Sequence, residues 1–307
     1  MNQPEAGRSL RLGTSFLSVM AVMLCSPLVL AEGPPLELIQ TIDLKGPAGR
    51  LDHLALDAKH GRLFVANMAN SSLDVVDLKA GKLLKQIPGQ KGIQGIAYAS
   101  DLDRIFVGNG EGNACNVFDG ENYKLLKSIP LDDADNVRYQ PSTRRIYVAH
   151  AEKSLSVIDA KTFETLAEIK VLGQPESFLL ESKRSRLYLN VPSAREVTVI
   201  DTQKKKAIAD YKLTLAEKNY PMALDEANHR LFIGCRSKPM IVVLDTETGK
   251  EVTSVPIPGD IDDVFYDAKR KRIYASCGEG FLAVIQQTDA DHYELLAQIA
   301  TVTGART

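Results

Sequence analysis

RLFVANMANSSLDVVDLKAGKLLKQIP, residues 62–88, is the stretch on which the fold of this chain turns. It contains three short runs rich in β-branched and aromatic residues, RLFVAN, SLDVVD and KLLKQIP, separated by the turn-forming pieces MANS and LKAG. A fourth run, LDHLALD, precedes it across AKHG. Short runs of this composition bounded by turn residues read as four β-strands, because branched and aromatic side chains suit a pleated, packed surface. The unit recurs. An arginine followed by a β-rich run appears as RLFVAN, RIFVGN, RIYVAH, RLYLNV, RLFIGC and RIYASC, starting at Arg62, Arg104, Arg145, Arg186, Arg230 and Arg272, with spacings of 42, 41, 41, 44 and 42. Five residues before each arginine stand Asp57, Ala99, Gln140, Glu181, Asp225 and Asp267. A later strand ends at Asp77, Asp119, Asp159, Asp201 and Asp245, and at Gln286 in the sixth copy. The segment TLAEKNY (214–220) accounts for the one longer interval.

Four-stranded units repeating every 40–45 residues are the signature of a β-propeller, whose sheets pack face to face around a central channel. With no Trp in the chain the Trp-Asp dipeptide of WD40 blades is absent, and no paired-glycine kelch pattern occurs. Copies such as RLFVANMANSSLDVVDLKAGKLLKQIP (62–88) and RIYVAHAEKSLSVIDAKTFETLAEI (145–169) resemble the YVTN class of propeller repeat, of the kind found in exported YncE-like proteins, and the resemblance covers residues 36–307. It implies an all-β fold, a periplasmic location in a Gram-negative bacterium and, for some relatives, binding of single-stranded DNA. Fold alone does not carry function, because propellers host many activities.

LELIQTIDL (36–44) alternates like a half-buried strand and echoes KLLKQIPG (82–89) and YKLLKSIPL (123–131), which each close a repeat. Propellers commonly close their ring by letting an N-terminal strand complete the last blade. On that reading the outer strands number seven, near 36–44, 82–88, 123–130, 163–171, 204–213, 250–257 and 293–300, and a seven-bladed propeller is expected. Only six arginine strands exist, so the C-terminal blade is expected to be truncated, lacking on the order of 20–35 residues. A six-bladed ring with a spare N-terminal strand is the competing arrangement.

Residues 1–31 read as a cleaved signal peptide: Arg8 and Arg11, an apolar run from Leu12 broken by Pro27, then Val29-Leu30-Ala31 before the cut. Thr14, Ser15, Ser18, Ser26 and Pro27 weaken an uncleaved anchor, and Leu24 weakens a lipoprotein at Cys25. The propeller domain is then 32–307, exported to the periplasm, with no membrane span after signal removal and a monomer expected. The mature chain keeps Cys115, Cys235 and Cys277. Cys235 and Cys277 occupy equivalent positions in successive blades, and sheets about 10 Å apart would hold them beyond disulfide reach. A formal net charge of −2 gives no basic footprint for duplex nucleic acid. Single-stranded DNA is suggested by the resemblance only.

In an antiparallel meander the first strand begins where the second ends, so one face of the ring collects both sets of residues. Ten residues before each arginine lie Asp52, Gln94, Asp135, Glu176, Tyr220 and Asp262; nine before lie His53, Gly95, Asn136, Ser177, Pro221 and Asp263. Five after it lie Asn67, Asn109, His150, Val191, Cys235 and Cys277. These positions vary between blades while the arginine and the strand-ending aspartate recur, which reads as architecture for the latter and recognition for the former. Turn capping by Asp and Asn is the plainer explanation for any single position. The ligand-binding candidates are Asp52, His53, Asn67, Gln94, Asn109, Asp135, Asn136, His150, Glu176, Asp262, Asp263 and Arg306. The clusters LDDADN (131–136) and GDIDDV (259–264) lack an EF-hand pattern, and no metal site is assigned.

No haem-attachment, zinc-protease or nucleophile-elbow motif is present, and GNGEGN (108–113) reads as a hairpin turn, so no cofactor can be named. The reading that results is a non-catalytic propeller binding a small molecule, peptide or periplasmic protein at the channel mouth. Two alternatives stand beside it. One is a metal-assisted lactonase-type hydrolase using Glu176, Asp135, Asp262, His53 and His150. The other is an accessory protein of a periplasmic quinoprotein or haem redox system.

Overall fold

The computed structural model describes Met1, residues 33–150 and residues 153–307, so the expected leader lies outside the described residues apart from Met1. The chain divides into two units, Met1–Gly33 and Pro34–Thr307. The second unit contains six successive four-stranded antiparallel meanders. Blade one is β1–β4 (Leu54–Asp57, Arg62–Asn67, Ser72–Asp77, Lys82–Pro88) and blade two is β5–β8 (Ile93–Ala99, Arg104–Asn109, Ala114–Asp119, Leu125–Pro130). Blade three is β9–β12 (Val137–Gln140, Arg145–His150, Ser154–Asp159, Thr165–Lys170) and blade four is β13–β16 (Phe178–Leu180, Arg186–Val191, Glu196–Asp201, Lys206–Lys212). Blade five is β17–β20 (Glu217–Asp225, Arg230–Ser237, Met240–Asp245, Glu251–Pro256) and blade six is β21–β24 (Ile261–Asp267, Arg272–Cys277, Phe281–Gln287, Tyr293–Ala300). This is an all-β propeller with almost no helix. Among the described residues no helix is long and apolar enough to cross a membrane.

The second strand of each blade explains the packing. Its aromatic, two residues after the arginine, enters the core shared with the next blade. Phe64 does so between blades one and two, Phe106 between two and three, Tyr147 between three and four, Tyr188 between four and five, and Phe232 between five and six. All five are fully buried. The aliphatic residue one position earlier points the other way, because side chains alternate across a strand. Thus Ile105, Ile146, Leu187, Leu231 and Ile273 enter the core shared with the preceding blade.

The recurring arginine and aspartate are cross-strand partners: Arg62 faces Asp77, Arg104 faces Asp119, Arg145 faces Asp159, Arg186 faces Asp201 and Arg230 faces Asp245. Direct ion pairs form at Arg104–Asp119 (3.1 Å) and Arg230–Asp245 (2.6 Å). In the sixth copy Gln286 accepts from Arg272 Nε at 3.1 Å instead. Each such aspartate also accepts backbone N–H groups of the turn that follows, as Asp119 does from Glu121 (3.1 Å) and Asn122 (3.0 Å). An ionised carboxylate is the stronger acceptor, so these bonds hold the carboxyls of Asp119, Asp159 and Asp201 below their usual range.

The number of blades differs from the expected seven: six are present, with β24 the outer strand of blade six as its place in the repeat requires. LELIQTIDL, expected as the outer strand of a further blade, pairs with no strand among the described residues. The 36–44 stretch forms no strand, and Leu38 (83%) and Ile39 (87%) stay exposed. It lies beside blade one instead. Gln40 packs over Gly81, whose φ of +60° and missing Cβ leave the room, and the Lys45 carbonyl accepts from Gln86 Nε2 (3.0 Å) and Asn70 Nδ2 (3.3 Å). Alternation makes a segment able to form a strand, but only a free sheet edge in register makes it one.

Among the described residues no apolar core joins blade six to blade one. Tyr274, the sixth aromatic of the series, and Leu63, the first aliphatic, are both only partly buried. The contacts bridging these blades at the ring face are polar: His53 Nδ1 lies 3.4 Å from Asp263, and Thr307 Oγ1 donates to the Asp52 carbonyl at 2.7 Å and bonds Asp263.

Truncating these side chains should reproduce this asymmetry. Phe106→Ala is expected to lower unfolding free energy by about 3–5 kcal/mol, and Tyr274→Ala by less than half of that, measured by urea denaturation. In blade one, Arg62 pairs with Asp57 (2.7 Å) and donates to the Gly120 carbonyl (2.6 Å) and to Tyr123 Oη (3.0 Å). Arg62→Ala leaves the buried Asp57 carboxylate with His60 as its remaining partner and should cost about 3 kcal/mol. Lys170→Ala, which breaks the exposed pair with Glu168, should cost less than about 1 kcal/mol in the same assay.

Candidate functional site at the channel mouth

At the ring face where the innermost strands begin, a cavity of about 290 Å³ opens on the axis. It receives one side chain from every blade at the same place in the repeat, ten residues before the arginine: Asp52, Gln94, Asp135, Glu176, Tyr220 and Asp262. Two backbone hydrogen bonds recur there and fix the height of the ring. Asp52 N–H donates to Ala66 O (2.8 Å), Asp135 to Ala149 O (2.9 Å) and Glu176 to Asn190 O (3.0 Å). The returning bonds run from Ala66, Ala149 and Asn190 N–H to the carbonyls of His53 (3.1 Å), Asn136 (2.9 Å) and Ser177 (3.0 Å). In blades two, five and six the inner strand carries a register shift at this point, and such irregularities re-aim side chains.

Glycines set the approach of blades two and three. A Cβ on Gly95 would stand 2.1 Å from the Asp135 carbonyl oxygen, and one on Gly108 would stand 2.5 Å from it. Only glycine at both places lets the backbone that bears Asp135 sit this close to its neighbour.

Of the sequence candidates, Asp52, His53, Gln94, Asp135, Asn136, Glu176, Asp262 and Arg306 border this cavity. Asp263 borders a deeper one and meets the mouth through His53. Asn67, Asn109 and His150 do not join them. They are buried within or between blades, where Asn67 donates to Asp74 (2.9 Å), Asn109 to Gln90 Oε1 (3.2 Å), and His150 Nε2 bonds Ser156 Oγ (3.0 Å). They reach the correct end of the sheet, but one strand further from the axis. Repeat position shows the end of a strand and not its distance from the channel.

Arg50, Asp133 and Gln174, two residues before the ring set, also line the mouth, as does Arg236. The first three were legible as the same strand face one period earlier. Arg236 was not. It depends on β18 running on to Ser237, paired with the extended β17 that the insertion at 214–220 supplies. Its guanidinium stacks 4.1 Å from the Tyr220 ring centroid. Tyr220 is itself held by Asn190, which donates to its carbonyl at 2.8 Å.

The charges divide around the ring. Where blades five, six and one meet, Asp262 is bonded by Arg236 and lies 3.2 Å from Arg306 and 3.9 Å from Arg50. Arg50 also pairs with Asp52 at 2.7 Å, and Arg306 with Asp260 at 2.9 Å. Burial draws the His53 imidazolium down, but its hydrogen bond to Asp263 and the charges of Asp263 and Asp52 outweigh that and raise its pKa to about 9. His53 is therefore a cation at neutral pH. Across the mouth, Asp135 and Glu176 are different. Among the described residues neither side chain forms an ion pair or a hydrogen bond. Burial, then the neighbouring carboxylates, raise Asp135 to about 6 and Glu176 to about 8. Among the described residues no group of three or more His, Cys, Asp or Glu side chains is arranged to hold a metal ion.

Beneath the mouth the channel widens into a second cavity of about 610 Å³, lined mainly by apolar residues of the inner strands. His53 borders both spaces. Arg138 stands in the wall of the lower one, at a repeat position that is Ala55, Ala97, Leu179, Ala223 and Phe265 in the other five blades.

No protein-family model matches the chain. It is 28% identical over 169 residues to the uncharacterized protein YncE of Salmonella typhi, a match spanning 53% of this chain and 46% of that protein. It is 27% identical over 168 residues to the uncharacterized protein YncE of Salmonella typhimurium strain LT2, with the same coverage. The chain thus aligns with less than half the length of the curated relatives it matches. Six repeated four-stranded blades with arginine-headed second strands make the chain a β-propeller, and over about half of its length it is similar to the YncE proteins.

Proposed function

We propose that this propeller is a binding protein that captures a small cationic ligand, an amine or guanidinium group, at the mouth of its channel. One observation carries the reading: Asp135 and Glu176 face the cavity with no bonded counter-ion, while Asp52, Asp262 and Asp263 opposite are each held by an arginine, a histidine or a hydroxyl. A partly desolvated carboxylate without a partner destabilises the fold, and an incoming cation removes that cost. The polar lining and the small volume fit a compact ligand better than a protein surface. The N-terminal 31 residues support export, so the ligand would be met outside the cytoplasm.

A second reading has a specific observation behind it. Two carboxyls in one cavity with pKa values near 6 and 8 resemble an acid and base pair. Hydrolysis of a simple lactone, lost in both Asp135→Asn and Glu176→Gln, would favour the hydrolase over the binder.

Binding can be measured by isothermal titration with 1,4-diaminobutane and its neutral counterpart butane-1,4-diol. The diamine should bind at pH 8.5 and the diol should not. Asp135→Asn and Glu176→Gln should each weaken the diamine at least about tenfold, the scale of a hydrogen bond to a charged group. Because both carboxyls take up protons as pH falls through about 8 and then about 6, affinity should drop steadily between pH 8.5 and pH 5. Equal binding of the diol, or pH-independent affinity, would count against the cation reading.

Stability should move the opposite way. A carboxyl whose pKa is higher in the folded than in the unfolded chain binds protons more tightly when folded, so its contribution falls as pH rises between the two values. For Glu176 that window runs from its ordinary value of 4.5 to about 8. Glu176→Gln, which cannot ionise, should therefore gain thermal stability relative to the parent as pH rises through this window, with the largest difference above pH 8.

A further inference from the structure

Arg138 is the charge that the mouth does not use. It projects from β9 into the wall of the deeper cavity. Its guanidinium donates to the Val137 carbonyl (2.9 Å), to Asn136 Oδ1 (3.4 Å) and to Ser177 Oγ (3.4 Å), and lies 5.7 Å from the Phe178 ring centroid. Among the described residues it forms no ion pair. The nearest acids are engaged elsewhere or act at a distance: Asp263 is bound by His53 and Thr307, and Asp135 faces the mouth above. Two of the three contacts are long, and all three are to neutral acceptors. Nothing in the packing of blade three calls for a cation, since five blades fill the same position with Ala, Leu or Phe.

The chamber below is less polar than the mouth, with polar and apolar atoms sharing its wall about equally. Leu179, Met222, Ala223 and Leu224 line it, and so do Leu56 and Phe265, which remain 55% and 58% exposed. By their repeat positions Leu56 and Phe265 face the seam between blades six and one, where no apolar core forms among the described residues, so they stay open at the side of the cavity, while Arg138 stands in its wall with only neutral hydrogen-bond partners. A volume of about 610 Å³ lies in the range of small-molecule sites.

We propose that the channel below the mouth is a second binding site, for an amphipathic monocarboxylate whose carboxylate pairs with Arg138 and whose apolar body lies against Leu56, Leu179, Ala223 and Phe265. A planar guanidinium takes a carboxylate through two parallel N–H···O bonds, which supplies direction and energy together. The apolar body supplies the rest by leaving water. The site does not rest on the mouth reading: it requires an anion where the mouth requires a cation, and the ligand would touch different residues, although His53 borders both cavities and Arg138 bonds Asn136.

The test is isothermal titration of the full chain with octanoate, 1-octanol and octylamine. Octanoate should bind, and the alcohol and the amine should bind at least about tenfold more weakly, as expected for loss of a charge-assisted hydrogen bond. Arg138→Gln should reduce octanoate affinity to the level of octanol, and Arg138→Lys should retain part of the preference. The diamine isotherm at the mouth should change far less in Arg138→Gln than the octanoate isotherm does, since Asp135 and Asn136 feel Arg138 only at a distance or through one long hydrogen bond. Octanol binding as well as octanoate, or Arg138→Gln binding octanoate as tightly as the parent, would overturn the assignment. Should circular dichroism show Arg138→Gln unfolded, the comparison of octanoate with octanol on the parent protein decides by itself.

Discussion

The insertion of an aromatic ring from the second strand of blades one to five into the face of the next blade is the interaction on which the remainder of this propeller rests. Sheets packed face to face stand about 10 Å apart, and a gap of that width needs large side chains from both sides. Phe64, Phe106, Tyr147, Tyr188 and Phe232 fill it from one side, while Ile105, Ile146, Leu187, Leu231 and Ile273 answer from the other. Because both residues sit next to the arginine that heads the strand, one short motif specifies the packing in both directions. It also specifies polarity. Every blade enters the ring the same way round, so all six inner strands begin at one face.

The mouth follows from that common polarity. Six side chains at one repeat position converge on the axis, and their chemistry varies while the frame beneath them stays constant. Arginines gather where blades five, six and one meet, and they neutralise Asp52, Asp260 and Asp262. The carboxyls of blades three and four are left without partners. Burying such groups opposes folding, and five continuous apolar cores are what offset it. The arrangement resembles many binding sites, in which local stability is given up so that a ligand can complete the set of interactions.

The two cavities share a wall at His53, and the two proposed ligands are of opposite charge: a cation above, where the carboxyls of Asp135 and Glu176 lack counter-ions, and an amphipathic anion below, where Arg138 stands among mixed polar and apolar walls. His53, charged through Asp263 and Asp52, separates the two and ties blade one to blade six, so the geometry of both sites depends on the same polar junction.

Much of this was legible in the amino-acid sequence. The period of 41 to 44 residues determined the four-stranded unit, the strand boundaries, the architectural Arg–Asp pairs and eight of the mouth residues, because a repeat that must pack on its own copies constrains the same positions every time. Arg138, the one charge in an otherwise apolar column of the repeat, was not among the residues singled out from the sequence, because nothing in the period marks that column as lining a cavity. Tertiary structure decided the rest. Asn67, Asn109 and His150 reach the right end of their strands, yet distance from the axis kept them out of the cavity. Arg236 reaches it only because β18 is lengthened by its pairing with β17. LELIQTIDL has the alternation of a strand, but the described residues hold no further blade for it to complete, and it lies against blade one through Gln40 and Lys45 without pairing. Periodicity is a property of the chain, whereas edges, cavities and counter-ions exist only once the blades are set against one another.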